Sequence, residues 1–179
     1  MRGKLGGYVA MVLLCVCAFT GCAWDRRSSV HLAAGEVFLL PVPFVRQEPG
    51  QCAVAALSAA FDYLNIAHDG IEQIFDPQQR GTKVVSLLQY SNQYTTTRVQ
   101  RLGYAGITGI LQSGRPLIIL RKENNTYHYM IVKGFIPSSR KLIVNDGYLE
   151  NVAIPGPEAE SGVKADIAII FAQSDAGAS

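Results

Sequence analysis

Basic clusters, nucleotide-binding motifs and closely spaced metal ligands are all missing from this sequence. It has only three histidines and four cysteines among 179 residues, and its formal net charge is +2. Without a run of lysine and arginine, a surface that neutralises nucleic-acid phosphates is not expected. Without a P-loop or a close pair of metal ligands, neither a bound nucleotide nor a metal cofactor is predicted.

The composition is that of a folded globular protein. Apolar residues make up 49% of the chain and charged residues 17%, which argues against a disordered chain. The length is sufficient for one domain with a substantial core, and no internal repeat or second domain is visible. We therefore predict one domain at residues 36–172 and a frayed tail at 173–179.

The first 21 residues differ from the rest and predict an export signal. They carry Arg2 and Lys4, then an apolar run from Tyr8 to Phe19, and no acidic residue. This order is typical of the basic and apolar regions of a secretory signal peptide. The run is too short to cross a bilayer comfortably, because spanning takes roughly 20 apolar residues. An ordinary signal peptide and an uncleaved anchor are the alternatives to a lipoprotein signal.

The signal, residues 1–21, is followed by Cys22 in the order Phe-Thr-Gly-Cys, which resembles the lipobox of bacterial lipoproteins. A small residue precedes the cysteine as the lipobox requires, although Phe19 stands where leucine is usual. The resemblance implies cleavage before Cys22, a diacylglycerol on its sulfur, and a lipidated tether at residues 22–35. Acyl chains of this kind hold a protein stably on a membrane surface. We therefore expect an exported protein on the periplasmic side of a bacterial membrane, the outer membrane if the cell is Gram-negative.

Removal of the signal changes the cysteine count. Cys15 and Cys17 leave with the signal and the lipid blocks Cys22, so Cys52 becomes the only free thiol. No internal disulfide can then form, although an exported location favours disulfides. A single thiol in an oxidising compartment is a liability unless it is buried or used.

Helices are predicted in the first half of the domain. After a β-like segment at residues 36–47, apolar residues recur at helical spacing from Cys52 to Leu64. Pro49 and Gly50 mark the entrance to this helix. The pattern then predicts a loop with a short helix at 65–81, a helix at 82–94, an extended segment at 95–103 and a short helix at 106–114.

Strands are predicted in the second half. Apolar and alternating runs lie at residues 116–122, 127–135, 141–146, 147–154 and 165–172, with turns at 123–126 and 136–140. Helices followed by strands that turn back on one another predict an α+β fold, with helices packed on an antiparallel sheet.

Cys52 stands in the first turn of a predicted helix, where a thiol can become a nucleophile. A helix N-terminus or a neighbouring imidazolium lowers the pKa of a cysteine and favours the reactive thiolate. His31 falls in the tether and His68 in a polar loop, which leaves His128, on a predicted strand, as the candidate base. Taken singly, a free cysteine is more often a packing residue, and a zinc site built from Cys52, His68 and His128 is not expected.

A residue that fixes the imidazole tautomer is expected near the end of the next strand. Asp146 is the first candidate and Asn145 the second. In an ideal hairpin Asp146 would lie nearer Ile131 than His128, so a bulge or a diagonal reach is required.

An oxyanion donor is expected just before the nucleophile. Gln47 precedes Cys52 by five residues across the Pro-Gly break, and its amide can reach over the thiol. The backbone N–H of Cys52 would be the second donor. Gln51 is nearer in sequence and remains a candidate.

Three stretches resemble the double-glycine leader peptidases, which are papain-like cysteine peptidases that process bacteriocin precursors. They are QEPGQCAVAAL, RPLIILRK with YHYMIVKGF, and KLIVNDGY, and the resemblance covers most of residues 41–150. It implies a papain-like fold with Gln47 in the oxyanion hole, Cys52 as nucleophile, His128 as base and Asp146 as the residue that orients the base.

The sequence departs from the family at two places. Ala53 and Val54 follow the cysteine where the family usually has Gly, often with Pro after it, and Gly147 follows the aspartate where Pro is frequent. A methyl group at position 53 is expected to narrow the cleft or alter the helix entry. The membrane and nucleotide-binding domains of transporter-fused members are not recognisable, so leader cleavage coupled to export is not implied.

The function predicted from these residues is that of an exported, lipid-anchored cysteine peptidase acting on a peptide or protein. The alternative is a catalytically weak relative that holds peptides or partner proteins in a secretion or envelope system. A transferase that uses the same thioester, with an amine in place of water, is equally compatible with the residues.

Overall fold

The structure is a computed structural model that describes residues 37–123, 126–157 and 166–172. The signal peptide predicted at 1–21, the tether at 22–35 and the tail at 173–179 lie outside the described residues, and their roles stay predictions. In the described part of the chain, no helix is long or apolar enough to span a bilayer.

Helices and strands alternate more than the sequence pattern predicts. The helices are α1 (Cys52–Tyr63), α2 (Val84–Ser91) and α3 (Tyr104–Gln112), with short 3-10 turns at Ile71–Ile74 and Pro137–Ser139. The strands are β1 (Phe38–Leu39), β2 (Thr97–Leu102), β3 (Leu117–Glu123), β4 (Thr126–Ile136), β5 (Lys141–Asn145), β6 (Val152–Pro155) and β7 (Asp166–Phe171).

The described strands form one antiparallel sheet in the order β2-β7-β3-β4-β5-β6. β1 pairs with the far end of β4, beyond the last residue that pairs with β3. Antiparallel neighbours can be joined by short turns, as β4 and β5 are by residues 137–140. The helices pack on this sheet, which confirms the predicted α+β class.

The alanine-rich sequence of α1 explains why this helix is buried. Leu57 and Phe61 are fully buried, and five alanines of the helix are buried beside them. Burying a leucine or phenylalanine side chain stabilises the fold by about 1.5–3 kcal/mol, and the alanines let the helix axis lie close to β4. Cys52, the first residue of α1, is thereby fixed against the middle of the sheet.

The entrance to α1 depends on Gly50. Its φ of +80° is a left-handed conformation, and a Cβ added there would lie 2.8 Å from the carbonyl oxygen of Arg80. Gln51 then caps the helix without a side-chain hydrogen bond. The N–H groups of Cys52 and Ala53, in the first turn of α1, donate to the thiol of Cys52.

The strand predicted at 147–154 is the largest correction to the sequence-based elements. Only Val152–Pro155 is strand, because Asp146 folds the chain into a turn: its Oδ1 accepts the N–H groups of Tyr148 at 2.9 Å and Leu149 at 2.7 Å. The β-like segment predicted at 36–47 is likewise reduced to Phe38–Leu39.

Candidate active site

A bulge in β4 brings Asp146 closer to His128. Counted from the pair Ile136 and Lys141, an unbroken ladder would set Asp146 opposite Ile131. The register instead shifts between Val132 and Gly134, and Asn145 pairs with Ile131. Asp146 is thus moved one position towards His128, and the required bulge is present.

A buried lysine marks this bulge, and sequence reasoning passed over it. Lys133 is 3% exposed, and its Nζ donates to the carbonyl oxygen of Val42 at 3.1 Å and to Glu150 Oε1 at 3.1 Å. At the neighbouring Gly134, an added Cβ would lie 2.3 Å from the carbonyl oxygen of Phe38. The available signal was Lys-Gly within an apolar strand, because a glycine inside a strand often marks a bulge.

Cys52 meets β4 where β5 has ended. The last residue of β4 that pairs with β5 is Ile131, so the edge of β4 beyond it is open on that side. The thiol of Cys52 lies at this edge and accepts a hydrogen bond from the backbone N–H of Tyr129. Tyr129 directly follows His128 in β4. The candidate nucleophile on α1 is therefore bonded to the residue next to the candidate base.

A shallow pocket opens beside the thiol. Its lining combines small residues of α1 with parts of β4, β5 and the preceding segment: Val45, Cys52, Ala55, Ala56, Ala59, Tyr129, Ile131, Asn145 and Gly147. Ala53 is not among them and is fully buried. Its methyl group therefore lies in the core, and the expected narrowing of the cleft at position 53 is not seen.

Burial raises the pKa of the Cys52 thiol above its ordinary value of 9.0. Hydrogen bonds from the N–H groups of Tyr129, Ala53 and Cys52 itself lower the pKa, but burial is the larger effect. Desolvation disfavours the charged form of a thiol in this way. The neutral thiol is therefore favoured near neutral pH, and attack by Cys52 requires a base.

His128 is held by the main chain of Asp146. Its Nε2 lies 2.9 Å from the carbonyl oxygen of Asp146. A carbonyl oxygen only accepts, so Nε2 is the donor and carries the proton of the neutral ring. Nδ1 is then the basic nitrogen. Asp146 is the residue that sequence reasoning chose, and the contact seen here runs through its backbone.

Gln47 packs against the same turn. It is 7% exposed, and its backbone N–H donates to the carbonyl oxygen of Gly147 at 2.9 Å. Its side-chain Oε1 is buried and has no hydrogen-bond partner among the described residues. Gln47 thus lies beside the residues that hold His128, on the segment that leads into Cys52.

The second candidate for orienting the base and the other two histidines lie elsewhere or make other contacts. Asn145 donates from Nδ2 to the carbonyl oxygen of Pro43 at 3.2 Å and accepts the N–H of Asn151 at 3.2 Å. His68 meets the ring of Phe61 edge-on, with centroids 5.3 Å apart. His31 lies outside the described residues. Within the described ranges, no three histidine, cysteine or acidic residues are grouped as a metal site would need.

A family profile matches this chain. The profile of the Peptidase_C39 like family matches residues 39–155. Comparison with curated protein sequences gives no match. Among solved structures, the peptidase domain of Streptococcus ComA, described as a bi-functional ABC transporter involved in a quorum-sensing pathway, superposes with a TM-score of 0.56 at 16% identity. That match covers 74% of this chain and 99% of the ComA domain.

Two further structures are more distant. The peptidase domain of Streptococcus mutans ComA gives a TM-score of 0.43 at 18% identity, covering 72% of this chain and 98% of that domain. A fragment of prointerpain A from Prevotella intermedia gives 0.37 at 13% identity, covering 50% and 33%. The Streptococcus ComA match establishes the papain-like cysteine peptidase fold, and, with the profile match over residues 39–155, the chain belongs to the Peptidase_C39 like family.

Proposed function

We propose that this protein is a lipid-anchored, exported cysteine peptidase that cleaves an amide bond of a peptide or protein through a thioester. The observation that carries the proposal is the position of the Cys52 thiol, at the start of α1 and bonded to the N–H of Tyr129 on the open edge of β4. On the same edge, the carbonyl oxygen of Asp146 accepts a hydrogen bond from Nε2 of His128, and we assign the role of base to Nδ1.

In the proposed reaction, Nδ1 of His128 takes the proton of the thiol while Sγ of Cys52 attacks the carbonyl carbon. The backbone N–H of Cys52 and Nε2 of Gln47 donate to the oxyanion of the tetrahedral intermediate. His128 then returns the proton to the leaving amine, and a thioester remains on Cys52. Water, deprotonated by His128, attacks the thioester, and the acid product leaves as the thiol re-forms.

The titration of Cys52 determines how this mechanism starts. Because burial raises the pKa of Cys52, the resting thiol is neutral and proton removal accompanies attack. General-base assistance of this kind contributes about 10²–10⁴-fold to a rate. Loss of His128 should therefore remove most of the reactivity of Cys52 near neutral pH.

Alkylation by iodoacetamide tests the proposal. The full chain would be treated across about pH 5 to 10, and modification followed by mass spectrometry on the peptide that carries Cys52. His128→Ala should slow alkylation near pH 7 by at least about tenfold, whereas the matched control His68→Ala should not. If the alkylation rate followed only the titration of a buried thiol and did not change in His128→Ala, Cys52 would be a structural cysteine.

One observation favours the alternative, a module that binds peptides without cleaving them. The raised pKa of Cys52 is what burial gives to an inert cysteine. Under this alternative the shallow pocket beside α1 binds a peptide, and Cys52→Ala leaves the affinity for that peptide unchanged. Under the peptidase proposal, Cys52→Ala abolishes cleavage and leaves the substrate bound.

The proposed anchor limits where the substrate can be. Val37, the first described residue, lies fifteen positions after Cys22, and an extended chain of this length reaches about 50 Å. We propose that the enzyme acts on chains near the membrane surface. Cys22→Ser should move the protein from the membrane fraction to the soluble fraction, and Cys52→Ser should not. Retention of Cys22→Ser in the membrane would argue for an uncleaved anchor.

A further inference from the structure

Two consecutive carbonyl groups of one turn hold the base and the oxyanion candidate. The carbonyl oxygen of Asp146 accepts from Nε2 of His128 at 2.9 Å, and that of Gly147 accepts from the N–H of Gln47 at 2.9 Å. The side chain of Asp146 braces the turn by accepting the N–H of Leu149 at 2.7 Å. A movement of this turn would displace both His128 and Gln47.

Glycine is required at position 147 for two separate reasons. Its φ of +87° is a left-handed conformation that residues with a Cβ rarely adopt. In addition, a Cβ built there would lie 2.1 Å from Oε1 of Gln47, 2.7 Å from its Cδ and 2.9 Å from its Cγ. The missing Cβ therefore leaves the space that the carboxamide of Gln47 occupies.

Packing, rather than hydrogen bonding to its oxygen, fixes the carboxamide of Gln47. Oε1 is buried against Gly147 with no hydrogen-bond partner among the described residues. Because oxygen and nitrogen form the two branches of a planar amide, Nε2 points away from Gly147. A buried acceptor without a partner is unfavourable, so its presence in a folded protein calls for an explanation.

We propose that Gly147 is a positioning residue for Gln47: the bare Cα of Gly147 sets the carboxamide so that its Nε2 donates to the reacting oxygen. This inference rests on the proposed peptidase function. It also explains the departure from the Asp-Pro pattern of the resembling family, because proline has φ near −65° and cannot adopt the conformation found at Gly147.

Gly114 provides a matched control. Its φ is +79°, close to that of Gly147, yet a Cβ added at Gly114 would meet nothing within 4 Å. Gly114→Ala therefore introduces the backbone strain alone, whereas Gly147→Ala introduces the same strain together with the collision with Gln47. Any effect found only at position 147 comes from the contact or from the turn.

The first measurement is independent of catalysis. In ¹⁵N-labelled full-length protein in detergent, the side-chain amide signal of Gln47 is assigned by its loss in Gln47→Ala. Gly147→Ala should shift this signal and Gly114→Ala should leave it in place. If Gly147→Ala leaves the signal unmoved, the proposal is wrong whatever the activity.

The second measurement is hydrolysis of p-nitrophenyl acetate by the same variants, with Cys52→Ala as the blank. Gly147→Ala should slow acylation by about 100-fold, the loss typical of one oxyanion donor, and Gly114→Ala by less than about twofold. In the Gln47→Ala background, Gly147→Ala should add little. Equal losses in both backgrounds would show that Gly147 does not act through Gln47.

Thermal unfolding of the same variants shows whether a change in signal or activity comes from a folding defect. If Gly147→Ala alone does not fold but regains its fold in the Gln47→Ala background, the collision is the cause; if both fail while Gly114→Ala folds, it is not. If wild type and Cys52→Ala hydrolyse the ester equally, the peptidase proposal fails. The signal of Gln47 still decides whether Gly147 positions it.

Discussion

Nε2 of His128 donates to the main-chain oxygen of Asp146, 2.9 Å away. This contact selects the tautomer of His128 without requiring a particular side chain at position 146. The carboxylate of Asp146 has a second task, because its Oδ1 closes the turn on Tyr148 and Leu149. Asp146 therefore acts on the candidate site through its carbonyl oxygen and through the turn that its carboxylate closes.

The free energy of unfolding should depend on pH through Cys52. Burial raises the folded-state pKa of Cys52 above 9.0, so the folded protein keeps a proton that the unfolded chain releases. This stabilisation is complete below the unfolded pKa and is lost as pH rises through the folded pKa. The difference between wild type and Cys52→Ala should begin to fall near the pKa of a thiol in the unfolded chain, about 8.5, and decline by at most about 1.4 kcal/mol per pH unit as pH rises further.

Urea denaturation at several pH values measures this difference, and the subtraction removes the titration of lysines and of the tyrosines other than Tyr129, whose pKa is raised by burial and by the charge of Cys52. A difference that grows with pH would contradict the prediction. It would mean that the folded protein favours the thiolate, as an ion pair with an imidazolium would.

Tyr129→Phe should distinguish the role of the Tyr129 side chain from that of its backbone N–H. The phenol donates to the carbonyl oxygen of Thr82 at 3.2 Å, so its loss should cost about 0.5–1.5 kcal/mol of stability. The N–H that reaches Cys52 is unchanged, and alkylation of the thiol should keep its rate within about twofold. Burial raises the pKa of Tyr129 to about 12, so the phenol does not titrate near neutral pH.

Tyr127→Phe is the control for this variant, because Tyr127 is 59% exposed and its substitution should leave both quantities unchanged. A large loss of alkylation in Tyr129→Phe would place the phenol itself in the reaction.

Asn145→Ala should destabilise the fold without changing how the alkylation rate of Cys52 depends on pH. It leaves the part-buried carbonyl oxygen of Pro43 and N–H of Asn151 without their partner, and each lost hydrogen bond costs about 0.5–1.5 kcal/mol. His128 keeps its contact with Asp146, so the midpoint of the alkylation profile should not move.

Asn92→Ala is the matched control for position 145. It also removes an acceptor from a backbone N–H, that of Thr97 at 2.7 Å, but at an exposed site where water can replace it. If the alkylation midpoint shifted in Asn145→Ala and not in Asn92→Ala, Asn145 would be acting on the base.

The sequence was sufficient to predict α1 and the residues around its start. Apolar spacing and the Pro-Gly break located the helix at Cys52, because both are local signals. The double role of Gly147 was not predictable in this way. Asp-Gly is an ordinary turn signal, and only the fold shows that Gln47, a hundred positions earlier, fills the space beside Gly147.

The segment after Asp146 was predicted as strand because Tyr148 and Leu149 are apolar. Both are exposed in the structure, and the local hydrogen bonds of Asp146 outweigh their strand propensity. The bulge at Lys133 was required by the site rather than predicted from the sequence. Periodicity cannot show it, since one extra residue leaves both flanking halves alternating normally.

The order of strands also determines when the domain can close during synthesis. β7, the last strand described, lies between β2 and β3 and pairs with both. The ribosome synthesises the chain from its N-terminus. Cys52, His128 and the turn at Asp146 therefore emerge before β7, the strand that connects β2 to β3. Loss of β7 would separate the edge strand β2 from β3 and leave β3 paired only with β4 among the described strands. The final strand of the domain thus decides whether β2 can join the sheet.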